Sequence, residues 1–146
     1  MGASDSTRST AADVMTSAPR TCSIFSTVLE AVLIFRDANC VAVPVLDNGK
    51  AVGIVTDRDV ALALPEYRAK LDELPVSELM SKGVPSVAPE TPVEEVLEKM
   101  NEAGYGRLLV VDAEEQLLGI ISLVDLAPHV STRALGETVT EVIEKA

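Results

Sequence analysis

The chain has 146 residues, 47% hydrophobic and 24% charged, with a net charge of −11. That length suits one ordinary domain or two very small ones, and the apolar share excludes a disordered chain. So acidic a surface repels nucleic acid and anionic lipid, and no apolar run reaches the ~20 residues of a membrane span, so neither is expected as a partner. The polar start, Met1 to Asp13, has no signal core, which points to the cytoplasm.

Aromatic residues make up 3% of the chain and Trp is absent, so the core must be built from Val, Leu, Ile and Ala. Cys22 and Cys40 lack the spacing of a metal or redox motif and read as two buried thiols. His129, the one histidine, has no His or Cys neighbour to complete a metal site, and no nucleophile-elbow, zincin or P-loop string is present. An enzyme is therefore a weak expectation, and no metal or obligatory cofactor is expected.

In chain order, residues 1–9 read as disordered. A short helical lead-in ends at Met15, and an extended segment passes through Thr21 to Ile24. Val28, Ala31, Val32 and Phe35 then fall at i, i+3, i+4, i+7, one face of a helix of about eleven residues. Val41 to Leu46 and Ala51 to Val55 are strands joined by Asp47-Asn48-Gly49, a strong hairpin signal. A second short helix starts at Thr56. Leu64 to Pro75 is a linker punctuated by Pro65 and Pro75.

The pattern then repeats. Glu78-Leu79-Met80-Ser81 matches Asp13-Val14-Met15-Thr16, and Ser86 to Ala88 is the second extended segment. Val93, Val96, Leu97 and Met100 match the first helical stripe. Arg107 to Val111 and Leu117 to Ile121 match the hairpin, with a turn one residue longer, and the last helix starts at Ser122. The order is β-α-β-β-α twice, a mixed α/β fold, with copies at 10–64 and 76–130 and a linker at 65–75. Residues 131–146 form a C-terminal segment in which Val139, Val142 and Ile143 share a helical face. A unit this short leaves an apolar face uncovered, so the copies are expected to pack together.

The most informative strings are Gly53-Ile54-Val55-Thr56-Asp57-Arg58-Asp59 and its echo Gly119-Ile120-Ile121-Ser122-Leu123-Val124-Asp125. A Thr or Ser followed three residues later by an acid, where a strand meets a helix, is a capping box. The same geometry suits a nucleotide. A helix start offers free N–H groups and a positive dipole end to phosphate, and a carboxylate one turn in can hold the vicinal hydroxyls of a ribose.

These strings, the lead-in with its Met and the strand Val43-Pro44-Val45-Leu46-Asp47-Asn48-Gly49 together resemble the CBS domain, named after cystathionine β-synthase. Two tandem copies resemble a Bateman module, and the likeness covers residues 10 to 130. It implies two copies packed sheet to sheet about a pseudo-twofold axis, with two clefts that take AMP, ADP, ATP, S-adenosylmethionine or NAD. By match, Thr56 and Ser122 would meet phosphate, and Asp59 and Asp125 would meet ribose.

Arg107 opens a strand where the family often sets an arginine on phosphate; otherwise it is a strand-edge charge. Arg58 is either a second phosphate cation or a solvated residue paired with Asp57 or Glu66. Ala42 stands where the second copy has Arg107, and Val124 where the first has Arg58, so the two sites are unequal and one could be empty.

The resulting expectation is a stand-alone regulatory module that binds an adenine nucleotide and signals to a partner protein. The rival is a structural dimerisation module with vestigial clefts. A homodimer is expected through the first long helix, where Leu29, Leu33 and Ile34 lie off the inward stripe while the second helix carries Glu94, Glu98 and Lys99. Alternatively, the C-terminal segment folds back over that face.

Overall fold

A computed structural model describes residues 9–68 and 70–145. Of the start expected to be disordered, all but Ser9 lies outside those residues. Ser9 is tied down, its carbonyl accepting from the Val93 N–H at 3.1 Å.

The described elements are α1 (Ala11–Val14), β1 (Thr16–Ser17), β2 (Cys22–Ser23), α2 (Val28–Ala38), β3 (Ala42–Asp47), β4 (Lys50–Thr56), α3 (Asp57–Tyr67), β5 (Ser86–Val87), α4 (Val93–Ala103), β6 (Arg107–Val111), β7 (Leu117–Ser122), α5 (Leu123–Leu126) and α6 (Thr132–Lys145). This is the expected mixed α/β repeat with two sheets. One has the order β2-β3-β4; the other has the order β1-β7-β6-β5. Both hairpins are antiparallel, and each carries a register irregularity at the matching place, Val45/Leu46 and Val110/Val111. Asn48 and Gly49 turn the first hairpin with φ of 53° and 81°. Two successive positive φ values are what an Asn-Gly hairpin turn requires.

The chain divides into two units, Pro19–Val84 and the remainder from Pro85 on together with the residues up to Ala18. This phase differs from that of the sequence repeat. The lead-in that precedes the second copy lies on the first copy's sheet, where Ser81 and Ile54 exchange backbone bonds at 2.8 and 3.1 Å. The lead-in that precedes the first copy lies on the second copy's sheet, where β1 pairs with β7.

Each unit has an aliphatic core. In the Pro19–Val84 unit it includes Val28, Ala31, Val43, Val45, Val55 and Val76. In the other it includes Val93, Val96, Met100, Leu108, Val110, Ile121 and Leu126. Cys22 is buried and Cys40 half-buried; both are free thiols. Thr27 caps α2 by accepting from the Glu30 N–H, and Asn39 ends it in the left-handed region.

Three local expectations change. Pro65 sits inside α3 rather than ending it. The bond it cannot donate would go to Ala61, which is exposed, so water can serve that carbonyl. The residues read as a linker are also anchored: Leu74 is buried, and its carbonyl accepts from the Val28 N–H at 2.8 Å.

The last helix starts at Thr132, well ahead of the Val139, Val142 and Ile143 face, and packs on α4. Its inward side carries Ala134, Leu135 and buried Thr138, while Val139 and Ile143 are exposed. Thr138 is satisfied there, accepting from Asn101 at 3.2 Å and donating to the Ala134 carbonyl at 3.1 Å. The third change is Ile34, which packs on the core of its unit instead of joining Leu29 and Leu33 on the outer face.

Candidate functional site

Both G-I-x-[ST]-x-x-D strings run from the second strand of a hairpin, β4 or β7, into a helix. Asp59 Oδ2 accepts from the Thr56 N–H at 2.8 Å, and Thr56 Oγ1 accepts from the Asp59 N–H at 3.2 Å. In the second copy Asp125 Oδ2 accepts from the Ser122 N–H at 2.8 Å and from its hydroxyl at 3.2 Å. These are capping boxes, and they fix each carboxylate one turn above its strand end. Only Oδ2 is engaged in each, among the described residues.

A third copy of the device lies at Thr10 and Asp13. The Thr10 backbone N–H and then its hydroxyl hold the Asp13 carboxyl below its ordinary value, with His129 adding a smaller push the same way. The T-x-x-D spacing therefore makes a cap wherever it falls, and a ligand role must rest on what else stands beside it.

What else stands beside it differs between the copies. Arg107 is directly opposite Ser122 across the β6–β7 ladder, whereas Thr56 is opposite Ala42. The helix starts are tied back to the same place: the Leu123 N–H donates to the Gly106 carbonyl and the Asp57 N–H to the Val41 carbonyl, each at 3.0 Å. Arg107, Ser122 and Asp125 are thus gathered at one end of one sheet.

Thr56, Arg58 and Asp59 form the corresponding group of the other unit. Arg58 is exposed on the first turn of α3, and its backbone N–H donates to Asp57 Oδ1 at 2.8 Å. Neither arginine's guanidinium takes part in the described ion pairs. The pairing of Arg58 with Asp57 or Glu66 is not among them.

Two open grooves within the units lie away from these six residues. One is lined by Glu90, Glu95, Glu98 and Glu102 with Lys99, the other by Ile24, Phe25, Val52 and Met80 with Asp47 and Lys82. Among the described residues no cluster of His, Cys, Asp and Glu is placed to hold a metal ion. No helix there is long and apolar enough to cross a membrane.

The two methionines that end the lead-ins have a packing role that the sequence did not assign to them. Met80 packs against Gly53 and Met15 against Gly119, so each lead-in covers the start of a G-I-x-[ST]-x-x-D string. The signal was available: the methionines and glycines recur in register in both copies.

The CBS domain pattern fits this chain twice, over residues 11–66 and 76–131. The chain belongs to the CBS domain family. This CBS pair is similar to the CBS domain-containing protein YhcV of Bacillus subtilis, at 34% identity over 131 residues, 89% of this chain and 92% of that one. Its fold is similar to the CBS domain pair of protein MJ0100 in complex with 5-methylthioadenosine and S-adenosyl-L-methionine, with a TM-score of 0.72 and 27% identity over 83% of this chain and 94% of that one. It is also similar to CBSX2 in complex with AMP, with a TM-score of 0.68 and 27% identity over 82% and 94% of the two chains.

Proposed function

We propose that this CBS pair is a regulatory module that binds an adenosine-containing nucleotide, AMP, ADP or ATP, and passes its occupancy to a partner protein. The observation that carries the reading is the placement of Arg107 opposite Ser122, with Asp125 held above them on a capped helix start. A guanidinium beside free N–H groups and a carboxylate supplies what phosphate and ribose need. Two structural relatives, MJ0100 and CBSX2, are described with adenosine compounds, which supports the ligand class. Thr56, Arg58 and Asp59 are the matching group in the first copy, where the cation comes from the helix instead of the strand.

Occupancy would shift a population of packing states that the partner reads. A thermal-shift panel of adenosine, AMP, ADP, ATP, S-adenosylmethionine and NAD tests the reading. Ligand at 100 times its dissociation constant stabilises the fold by about 2.7 kcal/mol. No shift with any member up to millimolar concentration would overturn it.

A purely structural dimer is the second reading, and exposed leucines in the Pro19–Val84 unit favour it. Leu29 is 40% exposed, Leu33 38% and Leu62 65%. We assign the self-association surface to the α2 face bearing Leu29 and Leu33. Dimerisation by itself is compatible with sensing, and the ligand panel separates a sensing dimer from an inert one.

A further inference from the structure

We propose that Met15 and Met80 are oxidation sites through which a peroxide loosens the two lead-in segments. The proposal goes beyond nucleotide binding and does not depend on it.

The geometry is the same in both units. A β-carbon built on Gly53 would lie 2.8 Å from Met80 Sδ and 2.7 Å from the Ser81 carbonyl oxygen. One built on Gly119 would lie 2.8 Å from Met15 Cγ and 2.8 Å from the Thr16 carbonyl oxygen, with Met15 Sδ closer still. Each thioether therefore occupies the space that the glycine leaves by having no side chain. Both methionines are half-buried and pack on the core of their own unit. The third described methionine, Met100, is fully buried.

A half-buried thioether is within reach of a small oxidant, and a fully buried one is not. Hydrogen peroxide would transfer one oxygen to Sδ: the O–O bond breaks, sulfur gives up two electrons, and the second oxygen leaves as water. The sulfoxide is larger than the thioether and carries a strong dipole. On the side of the strand glycine the added oxygen has no room and meets apolar core, so it must either part the lead-in from that strand or, at Met80, swing out into the groove shared with Ser77 and Lys82, in which case the lead-in stays put.

Ala11 and Val76 anchor the far ends of the lead-ins, but where they meet the glycine strands few backbone bonds hold them. In one unit the Ser81 N–H donates to the Ile54 carbonyl at 2.8 Å and the Ile54 N–H donates back at 3.1 Å. In the other, β1 is two residues long, and the Ala18 N–H donates to the Leu118 carbonyl at 3.1 Å. The oxidised state is reversible by sulfoxide reduction, as a switch requires.

The test treats the full chain with hydrogen peroxide, maps oxygen by peptide mass spectrometry and follows amide hydrogen exchange. The expected result is one added oxygen on Met15 and one on Met80 before any on Met100, with exchange at the Ser81 and Ala18 amides about ten-fold faster or more. Met80→Leu should keep Ser81 protected under peroxide while Ala18 still loosens, and Met15→Leu should do the converse. Each single variant thus carries its own positive control.

Either of two results overturns the proposal. One is oxidation of Met15 and Met80 with Ser81 and Ala18 exchanging as in untreated protein. The other is Met100 oxidising as fast as the other two, which would mean global opening. If a leucine variant fails to fold, partial oxidation of the native chain, sorted by oxidised site, supplies the same comparison.

Discussion

The carbonyl oxygen of Thr16 lies 2.8 Å from where a β-carbon on Gly119 would stand. Backbone cannot retreat as a flexible side chain can, so Gly119→Ala must displace β1 from its neighbour. We expect a loss of about 1–3 kcal/mol, with a similar loss for Gly53→Ala against Ser81. Gly136→Ala is the contrasting case. Nothing lies within 4 Å of its added carbon, and the residue is inside α6, so unfolding by urea should show a gain of about 0.5–1 kcal/mol.

The two aspartates of the repeated strings each close a capping box, and binding must be separated from that role. Asp125→Ala removes a capping box and should cost about 1 kcal/mol without ligand. If Asp125 also meets ribose, the variant loses the thermal shift produced by AMP as well. A variant that is destabilised but keeps the full AMP shift would leave Asp125 a cap and nothing more. Asp59→Ala makes the same comparison in the first copy.

Arg107 should distinguish ligands by phosphate. Arg107→Gln is expected to weaken AMP or ATP by about ten-fold or more, the loss of one charge-assisted contact, while adenosine changes little. Equal weakening of adenosine and AMP by calorimetry would show that Arg107 only supports the strand. Arg58→Gln gives the corresponding test in the first copy.

Two groups set opposite pH limits on stability. Asp13 is held below the ordinary 3.8 by the Thr10 N–H and hydroxyl, so its contribution is present above that value and is lost as pH falls through the lower folded value. Cys22 is pushed above the ordinary 9.0, chiefly by burial and then by Glu30, with Ser26 opposing. Its contribution is whole below pH 9.0 and is lost as pH rises through the higher folded value. Urea unfolding from pH 7 to 10.5 should show the alkaline decline in the native chain and a flatter profile in Cys22→Ala. In native protein a thiol reagent should label half-buried Cys40 before Cys22.

Leu33→Glu should turn a dimer into a folded monomer, read by sedimentation with circular dichroism unchanged. Ile34→Lys is expected instead to destabilise the subunit, because that side chain packs on the core. A native chain that sediments as a monomer at tens of micromolar would defeat the dimer assignment.

The helices and hairpins were legible because local rules fixed them. The second helical stripe fell on the four buried positions of α4, Asn48-Gly49 turned the hairpin with two positive φ values, and Thr56 and Ser122 marked the helix starts. The misses came from choices that only tertiary packing makes. A helix apolar nearly all round does not say which of Leu33 and Ile34 turns inward. Thr138 reads as polar, yet it is buried because Asn101 and its own helix satisfy its hydroxyl. Nor did Pro65 reveal that Ala61 faces water and needs no partner from it. For the candidate site, five of the six residues were named from the strings and Arg107 from the strand opening where the resembling family sets an arginine; the ladder added that Arg107 faces Ser122 while Thr56 faces Ala42.

The exchanged lead-ins bear on how such a chain could have arisen. One repeat standing by itself would own a sheet edge with no cover and a lead-in with no sheet to lie on. Two separate molecules of that repeat would meet both needs by trading segments, each completing its twin, at a cost set by how often they collide. Joining them head to tail makes the trade a property of one polypeptide and independent of dilution. Once joined, the halves are free to diverge, and an arginine at one strand start with an alanine at the other is a difference that a pair of identical molecules could never hold.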